Sequence, residues 1–204
     1  GIAFAVAVLL VGLSFLDVMN SLIDDELTKT MRQDATLTFV QPRSARALHD
    51  VAHLPGVMEI EATRMVPARL RAGTRSRTLV ISGLPEEPRL TRIIDRSRGV
   101  MTLPPAGLVL SGMLGQVLGV GPGDVLQVEV LEGRRPVSDV PVTALVDDSL
   151  GLQAYMSPAA VRRMLHEGDT VSSVALTMDP AVREAFYAAV KAMPAIAGVA
   201  MRDV

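Results

Sequence analysis

The pattern of apolar and polar positions changes sharply after the first part of the chain. Residues 1–16 (GIAFAVAVLLVGLSFL) contain no charged side chain, and a full membrane span needs about 20 such residues. This run therefore predicts most of a transmembrane helix. Because the chain begins at Gly1 inside the run, without an initiator Met or a basic flank, we expect a fragment that starts within the span.

Two less favoured interpretations of the same run stay open. A cleaved signal peptide needs a positive N-terminal region and small residues at its cleavage site, whereas Phe15, Leu16 and Asp17 stand at that place. An apolar helix buried in a protein core is the second alternative, because a run of this length is shorter than a full span.

Apolar residues continue at helical spacing beyond this run. Leu16, Met19, Ile23, Leu27 and Met31 recur at steps of three and four among polar positions, as on one face of an amphipathic helix. No Pro or Gly interrupts this part of the chain, so no break is predicted. We therefore expect residues 1–33 to form the end of a transmembrane helix and a stalk.

The two flanks of the remaining chain share the order strand, helix, strand. In the second flank Asp179 and Pro180 have the residue types of a helix N-cap and a first helical position. The predicted elements are strands 36–40, 57–71, 170–178 and 196–201 and helices 44–54 and 180–193. We therefore predict an α+β fold in which residues 34–83 and 157–204 form one split βαβ subdomain, with the helices on one sheet face.

The middle of the chain, residues 84–156, predicts an inserted, β-rich subdomain. A strand at 107–110 and a helix at 111–118 precede two strands that pair around Gly133, as in a hairpin. A last strand at 154–156 then leads to a helix that begins at Ser157.

Within this middle part, a strand, a helix, a glycine-containing turn and their sequel carry a resemblance. The residues are Leu108-Val109-Leu110-Ser111, Leu114, Leu118-Gly119-Val120, Gly123-Asp124-Val125, Val142, Val146, Gly151 and Ala154-Tyr155-Met156. They resemble the extracytoplasmic domain of FtsX-like or MacB-like ABC transporter permeases. The leading membrane helix and the Pro55-Gly56-Val57 junction agree with that resemblance.

The resemblance implies a permease subunit of the plasma (inner) membrane whose globular part lies outside the cytoplasm, in the periplasm. ATP would be hydrolysed by a separate cytoplasmic ATP-binding subunit, and a second permease copy is a further expected partner. The domain would couple movement of the membrane helices to the handling of a lipid, lipoprotein, peptide or partner protein. Leu16, Met19, Ile23 and Leu27 are then the expected coupling residues, as a stalk stripe on a neighbouring span.

The net charge and the absence of cysteine argue against several classes of function. The net charge of -2 and the pI of about 5.9 argue against nucleic-acid binding, because such domains usually have a pI above about 9. The chain has no cysteine, which excludes disulfides and thiolate metal sites.

The glycines at 119, 121 and 123 do not predict a nucleotide site. They follow a predicted helix and precede a strand, whereas the glycines of Rossmann and P-loop sites follow a strand and open a helix. We interpret them as a tight turn between a helix and a strand.

Six polar residues are of types that can carry out catalysis or bind a metal. They are His49, His53, Asp147, Asp148, Ser111 and Ser157. The histidines lack a third ligand and the Glu of the zincin pattern, the adjacent carboxylates should point apart, and the serines are better interpreted as helix caps. The sequence therefore predicts no catalytic residue, no cofactor site and no metal site.

A cluster of arginines is the one local charge signal. Arg64, Arg69, Arg71, Arg75 and Arg77 lie on and around a predicted hairpin. They could contact anionic lipid headgroups, since each cation near a charged surface adds about 1 kcal/mol. Alternatively, the arginines lie on a solvated strand edge, where their charge prevents aggregation. This explanation is favoured, because edge strands routinely need such protection.

Two functional alternatives differ from the permease interpretation. A single-span, membrane-anchored sensor or adaptor would also combine the apolar run with a globular domain. A membrane-anchored hydrolase is less favoured, because no nucleophile and base stand in a recognisable arrangement.

Overall fold

The computed structural model describes residues 32–148 and 151–202. Within these ranges, no helix is both long enough and apolar enough to cross a membrane. The stalk residues Leu16, Met19, Ile23 and Leu27 lie outside the described residues.

Strands dominate the described chain, as the following bounds show. The elements are β1 (Ala35–Ser44), α1 (Ala47–Ala52), β2 (Val57–Ala72), β3 (Arg75–Gly83), β4 (Ile94–Asp95), β5 (Gly99–Val100), β6 (Leu108–Ser111), α2 (Gly112–Leu118), β7 (Val125–Val130), β8 (Val137–Val146), β9 (Ala154–Met156), α3 (Pro158–Leu165), β10 (Thr170–Met178), a 3-10 turn (Pro180–Val182), α4 (Arg183–Lys191) and β11 (Ile196–Met201). The α+β class predicted from the sequence is confirmed.

Four strands form an open antiparallel sheet in the order β11-β1-β10-β2. On one face, Leu37 of β1 lies opposite Val174 of β10, and both side chains are fully buried. The helices α1 and α4 contribute Val51 and Phe186 to the same apolar cluster. The face opposite these two helices is called the outer face of the open sheet.

Six strands close into a barrel in the order β2-β3-β9-β6-β8-β7, because β7 also pairs with β2. Closure is seen where Leu70 of β2 lies opposite Val128 of β7. Inward-facing positions alternate with outward-facing ones along barrel strands, and the inward side chains form one apolar core. Leu114 of α2 and Met164 of α3 belong to that core.

A single strand, β2, takes part in both units. Its residues 57–63 pair with β10 in the open sheet, and its residues 64–72 pair with β3 in the barrel. Strand pairing therefore assigns β3 to the barrel, and the buried face of α3 packs there as well. The boundaries predicted from the sequence assign β3 and α3 to the flanking subdomain instead. The sequence of β2 contains no break at residues 63–64, where its pairing changes from β10 to β3.

The two ends of the described chain meet at one end of the open sheet, called its base. The Arg202 N–H donates to the Asp34 carbonyl oxygen at 2.9 Å, next to the pair of Ala35 and Met201. The hairpin between β2 and β3 lies at the other end of β2, away from the base. Ile60 is level with the base, and roughly 40 Å of strand at 3.3 Å per residue separate it from Ala72.

Candidate functional site

Arg64 occupies the point where β2 passes from the open sheet into the barrel. Its side chain is 5% exposed, and its Nη2 lies 2.6 Å from Glu132 Oε1 and 3.3 Å from Glu167 Oε2. Its Nε donates to Thr170 Oγ1 at 3.2 Å, and its Nη1 donates to the Met65 carbonyl oxygen. One guanidinium therefore joins β2 to the β7–β8 turn and to the loop before β10.

This arrangement explains the position of Arg64 inside the protein. On β2 it follows the inward alternation of Val66 and Ala68, so its side chain points to the interior of the junction. A buried charge needs partners with good geometry, and Glu132 and Glu167 supply them. Arg64 is therefore buried and is not part of the protein surface, where a contact with lipid headgroups is expected.

The other four predicted arginines are exposed or half-buried and lie on two sides of the barrel wall. Arg69 and Arg71 point outward, and Arg69 Nη1 is 3.0 Å from Glu129 Oε2 on the neighbouring strand. Arg75 and Arg77 lie opposite Ala72 and Leu70. Residues opposite each other share a sheet face, so Arg75 and Arg77 belong to the other side. The structure does not bring the five arginines into one cluster.

The glycine turn packs against one of these arginines. Gly119 ends α2 with φ of 70°, and a Cβ added there would lie 1.9 Å from Arg75 Nη1. The Gly121 N–H donates to Asp124 Oδ2 at 2.8 Å, which closes the turn before β7. Glycine at 119 is therefore required for its left-handed backbone, whereas the exposed Arg75 side chain could shift away from a Cβ.

Both candidate serines cap helices. Ser111 Oγ accepts from the Leu114 N–H at 3.3 Å at the start of α2. Ser157 Oγ accepts from the Ala160 N–H at 3.2 Å at the start of α3. These bonds satisfy helix N–H groups that lack partners within the helix.

The histidines and the adjacent carboxylates are kept apart or bound locally. His53 Nδ1 lies 2.6 Å from the carbonyl oxygen of His49, at the surface. Asp148 Oδ2 accepts from the Tyr155 hydroxyl at 3.1 Å, whereas Asp147 faces Arg96. No group of three His, Asp or Glu side chains suited to a metal occurs in residues 32–148 or 151–202.

Sequence reasoning missed a buried carboxylate that fixes the loop after β3. Glu61 is 7% exposed, and its carboxylate accepts the backbone N–H groups of Arg89, Leu90 and Thr91 at 2.6, 3.0 and 3.0 Å. These bonds fasten the loop to the outer face of the open sheet. Its partners are backbone groups, which leave no signal in the sequence.

A second missed carboxylate, Asp95, lies 3% exposed at the end of β4. Hydrogen bonds from the Ser97 hydroxyl and the Asp147 N–H hold the pKa of Asp95 far below its usual range, despite burial. Near it, burial and the charge of Asp148 raise the pKa of Tyr155 far above its usual value. Asp95 therefore stays ionised and ties the β4–β5 turn to the end of β8.

Comparisons with known proteins bear on the fold. No protein-family model matches the chain, and no curated protein is similar to it in sequence. Among solved structures, the extracellular domain of the noncanonic ABC-type transporter YknZ from Gram-positive bacteria is similar, with a TM-score of 0.53 and 10% identity over 84% of this chain and 100% of that chain. The periplasmic region of MacB from Actinobacillus actinomycetemcomitans is similar with a TM-score of 0.50 and 12% identity, over 86% of this chain and 92% of that chain. The chain has the fold of these extracytoplasmic domains, which confirms the resemblance found in the sequence.

Proposed function

We propose that this chain is the extracytoplasmic domain of an ABC transporter permease subunit. It couples ATP-driven movement of membrane helices to the handling of a lipid, lipoprotein, peptide or partner protein outside the cytoplasm. The observation that carries the proposal is the fold shared with the YknZ and MacB domains over more than four-fifths of the chain. ATP hydrolysis is assigned to a separate cytoplasmic subunit, and a second permease copy is a further proposed partner.

The path of the chain supports a role in transmitting movement. Residues 34 and 202 lie side by side at the base, so the described chain starts and ends in one place. From the base, β2 continues into the barrel without interruption, and Arg64 braces the passage between the two units. In this proposal a displacement at the base is carried to the barrel through β2 and the Arg64 contacts.

The stalk stripe of Leu16, Met19, Ile23 and Leu27 is the proposed input of this movement. We expect its replacement by Ser or Asn to abolish transport while the permease still assembles with its ATP-binding subunit. Polar residues on the opposite side of the predicted helix, such as Ser21 and Asp25, provide the matched control. Unchanged transport by an assembled stripe variant would show that these residues do not couple.

The exposed arginines of the β2–β3 hairpin remain a proposed site of contact with an anionic group. Arg75 and Arg77 share one sheet face next to the turn, so we assign these two to a ligand presented at the end of β2 away from the base. Combined replacement by Gln should weaken binding of an anionic lipid or lipoprotein there. Replacement of Arg43 and Arg46, on another part of the surface, should have no effect.

The central experiment is co-purification of the full-length protein with the ATP-binding subunit expected to act with it. We expect a stable complex whose ATPase activity changes when the extracytoplasmic domain is deleted. A protein that binds no ATP-binding subunit would instead favour the single-span sensor or adaptor.

A further inference from the structure

Two adjoining depressions lie on the outer face of the open sheet. The larger is a groove of about 460 Å³ whose lining includes Thr36, Ala175 and Ala200. These three residues lie opposite one another on β1, β10 and β11, and their small side chains leave the sheet face hollow. Met65 and Met201 also line the groove, which makes it largely apolar.

The second depression is a cleft of about 420 Å³ at the base of the same face. Arg32, Arg89 and Arg92 line it, together with one acidic residue, Glu59. Glu59 lies 3.6 Å from Arg89, so one carboxylate stands against three guanidinium groups. The cleft is therefore a cationic pocket with an open side.

Both depressions share one wall, the loop that Glu61 fastens to the sheet. Leu90 and Arg92 line the cationic cleft, and Thr91 between them lines the apolar groove. The Arg32 N–H donates to the Leu90 carbonyl oxygen at 2.8 Å, which fixes the base of the cleft against this loop. An apolar groove and a cationic cleft are thus held next to each other.

We propose that this face binds one anionic phospholipid. Its phosphate-bearing headgroup lies between Arg32, Arg89 and Arg92, and an acyl chain lies along the groove over Ala175 and Ala200. Charge complementarity selects the headgroup, and the groove has the size of ordinary ligand pockets, about 300–1,000 Å³. The inference rests on the proposed function, because that function places the base beside a membrane.

The test uses the full-length protein in nonionic detergent and phosphatidylglycerol with a photoactivatable acyl chain. We expect crosslinks to β1, β10 and β11 on residues of the outer face. The variant with Arg89→Gln and Arg92→Gln should bind about 30-fold more weakly, from about tenfold per 1.4 kcal/mol and about 1 kcal/mol per cation. The matched control replaces Arg43 and Arg46 by Gln.

A second variant tests the groove separately from the charges. Ala200→Phe fills the groove from an exposed position and should abolish crosslinking, whereas Ala197→Phe places the same ring on another exposed alanine of β11 that does not line the groove. An excess of dioctanoyl phosphatidylcholine should compete poorly, and inorganic phosphate should not compete at millimolar concentration.

Three results would overturn the lipid site. They are crosslinks elsewhere than the outer face, full crosslinking of Ala200→Phe, and displacement of the lipid by inorganic phosphate alone, which would identify a phosphate site instead. Complex formation with the ATP-binding subunit is measured on the same samples. An assembled transporter without these crosslinks contradicts the lipid site only, whereas failure to assemble contradicts the proposed function.

Discussion

Replacement of Arg64 by Met gives the sharpest test of how the open sheet is joined to the barrel. Met keeps much of the length of the side chain but removes the guanidinium that contacts Glu132 and Glu167. Removing one partner of a fully buried ion pair costs about 3–5 kcal/mol. Here Glu167 keeps 38% of its side chain exposed, so water can solvate it after the change, whereas Glu132 Oε1, which faces Arg64, is buried.

We therefore expect Arg64→Met to lower the free energy of unfolding by about 3 kcal/mol, the lower end of that range. For a chain of this size the melting temperature should fall by roughly 6–12 °C, at about 2–4 °C per kcal/mol. Urea unfolding followed by far-UV circular dichroism measures the first quantity, and a thermal scan measures the second.

Arg69→Met is the matched control on the same strand. Arg69 has one carboxylate partner, Glu129, and both side chains are more than a third exposed. Such surface pairs contribute about 0–1 kcal/mol. Equal losses from Arg64→Met and Arg69→Met would refute the conclusion that the Arg64 contacts stabilise the junction.

Three further changes test other parts of the structure. Gly119→Ala should cost about 1–2 kcal/mol, because its left-handed backbone is strained for Ala, while the exposed Arg75 side chain can shift away from the new Cβ. Gly121→Ala, with nothing within 4 Å, should be near neutral in the same urea assay. Glu61→Gln should cost about 1.5–3 kcal/mol and speed hydrogen exchange at the amides of residues 89–91, and unchanged exchange there would contradict the role of the carboxylate. The pKa of Asp95 is lowered by folding, so its stabilisation is present above the unfolded pKa of about 3.9 and is lost as the pH falls further. The difference in stability between the wild type and Asp95→Asn should therefore be constant from about pH 5 to pH 8 and shrink below about pH 4, and a constant difference down to pH 2 would contradict this assignment.

Helix starts could be predicted from the sequence, because the residue that caps a helix lies next to it in the chain. Ser111, Ser157 and Asp179 all accept backbone N–H bonds at helix starts, as their residue types and positions indicated. The strands of the two flanks were also predicted, because alternation of apolar positions is visible without knowledge of the partner strand.

Features that depend on distant partners could not be predicted. Closure of the barrel needs Leu70 opposite Val128, and nothing near either residue specifies that register. Arg64 and Arg69 look alike in the sequence, yet one is buried and one half-exposed. Their burial differs because they lie on opposite faces of β2. Only the strand pairing shows which of these faces is interior.

The adjacency of Asp34 and Arg202 at the base limits how force can act on this domain. Asp34 directly precedes β1 and Arg202 directly follows β11, two neighbouring antiparallel strands, and the hydrogen bond between them is at the base. A load that separates the two connections would fall on this bond first and then on the next, so the strands would unzip in sequence. A load that moves both connections together stretches no bond between β1 and β11. Under the proposed function, chain segments that continue from residues 34 and 202 would have to move together for this edge of the sheet to stay paired.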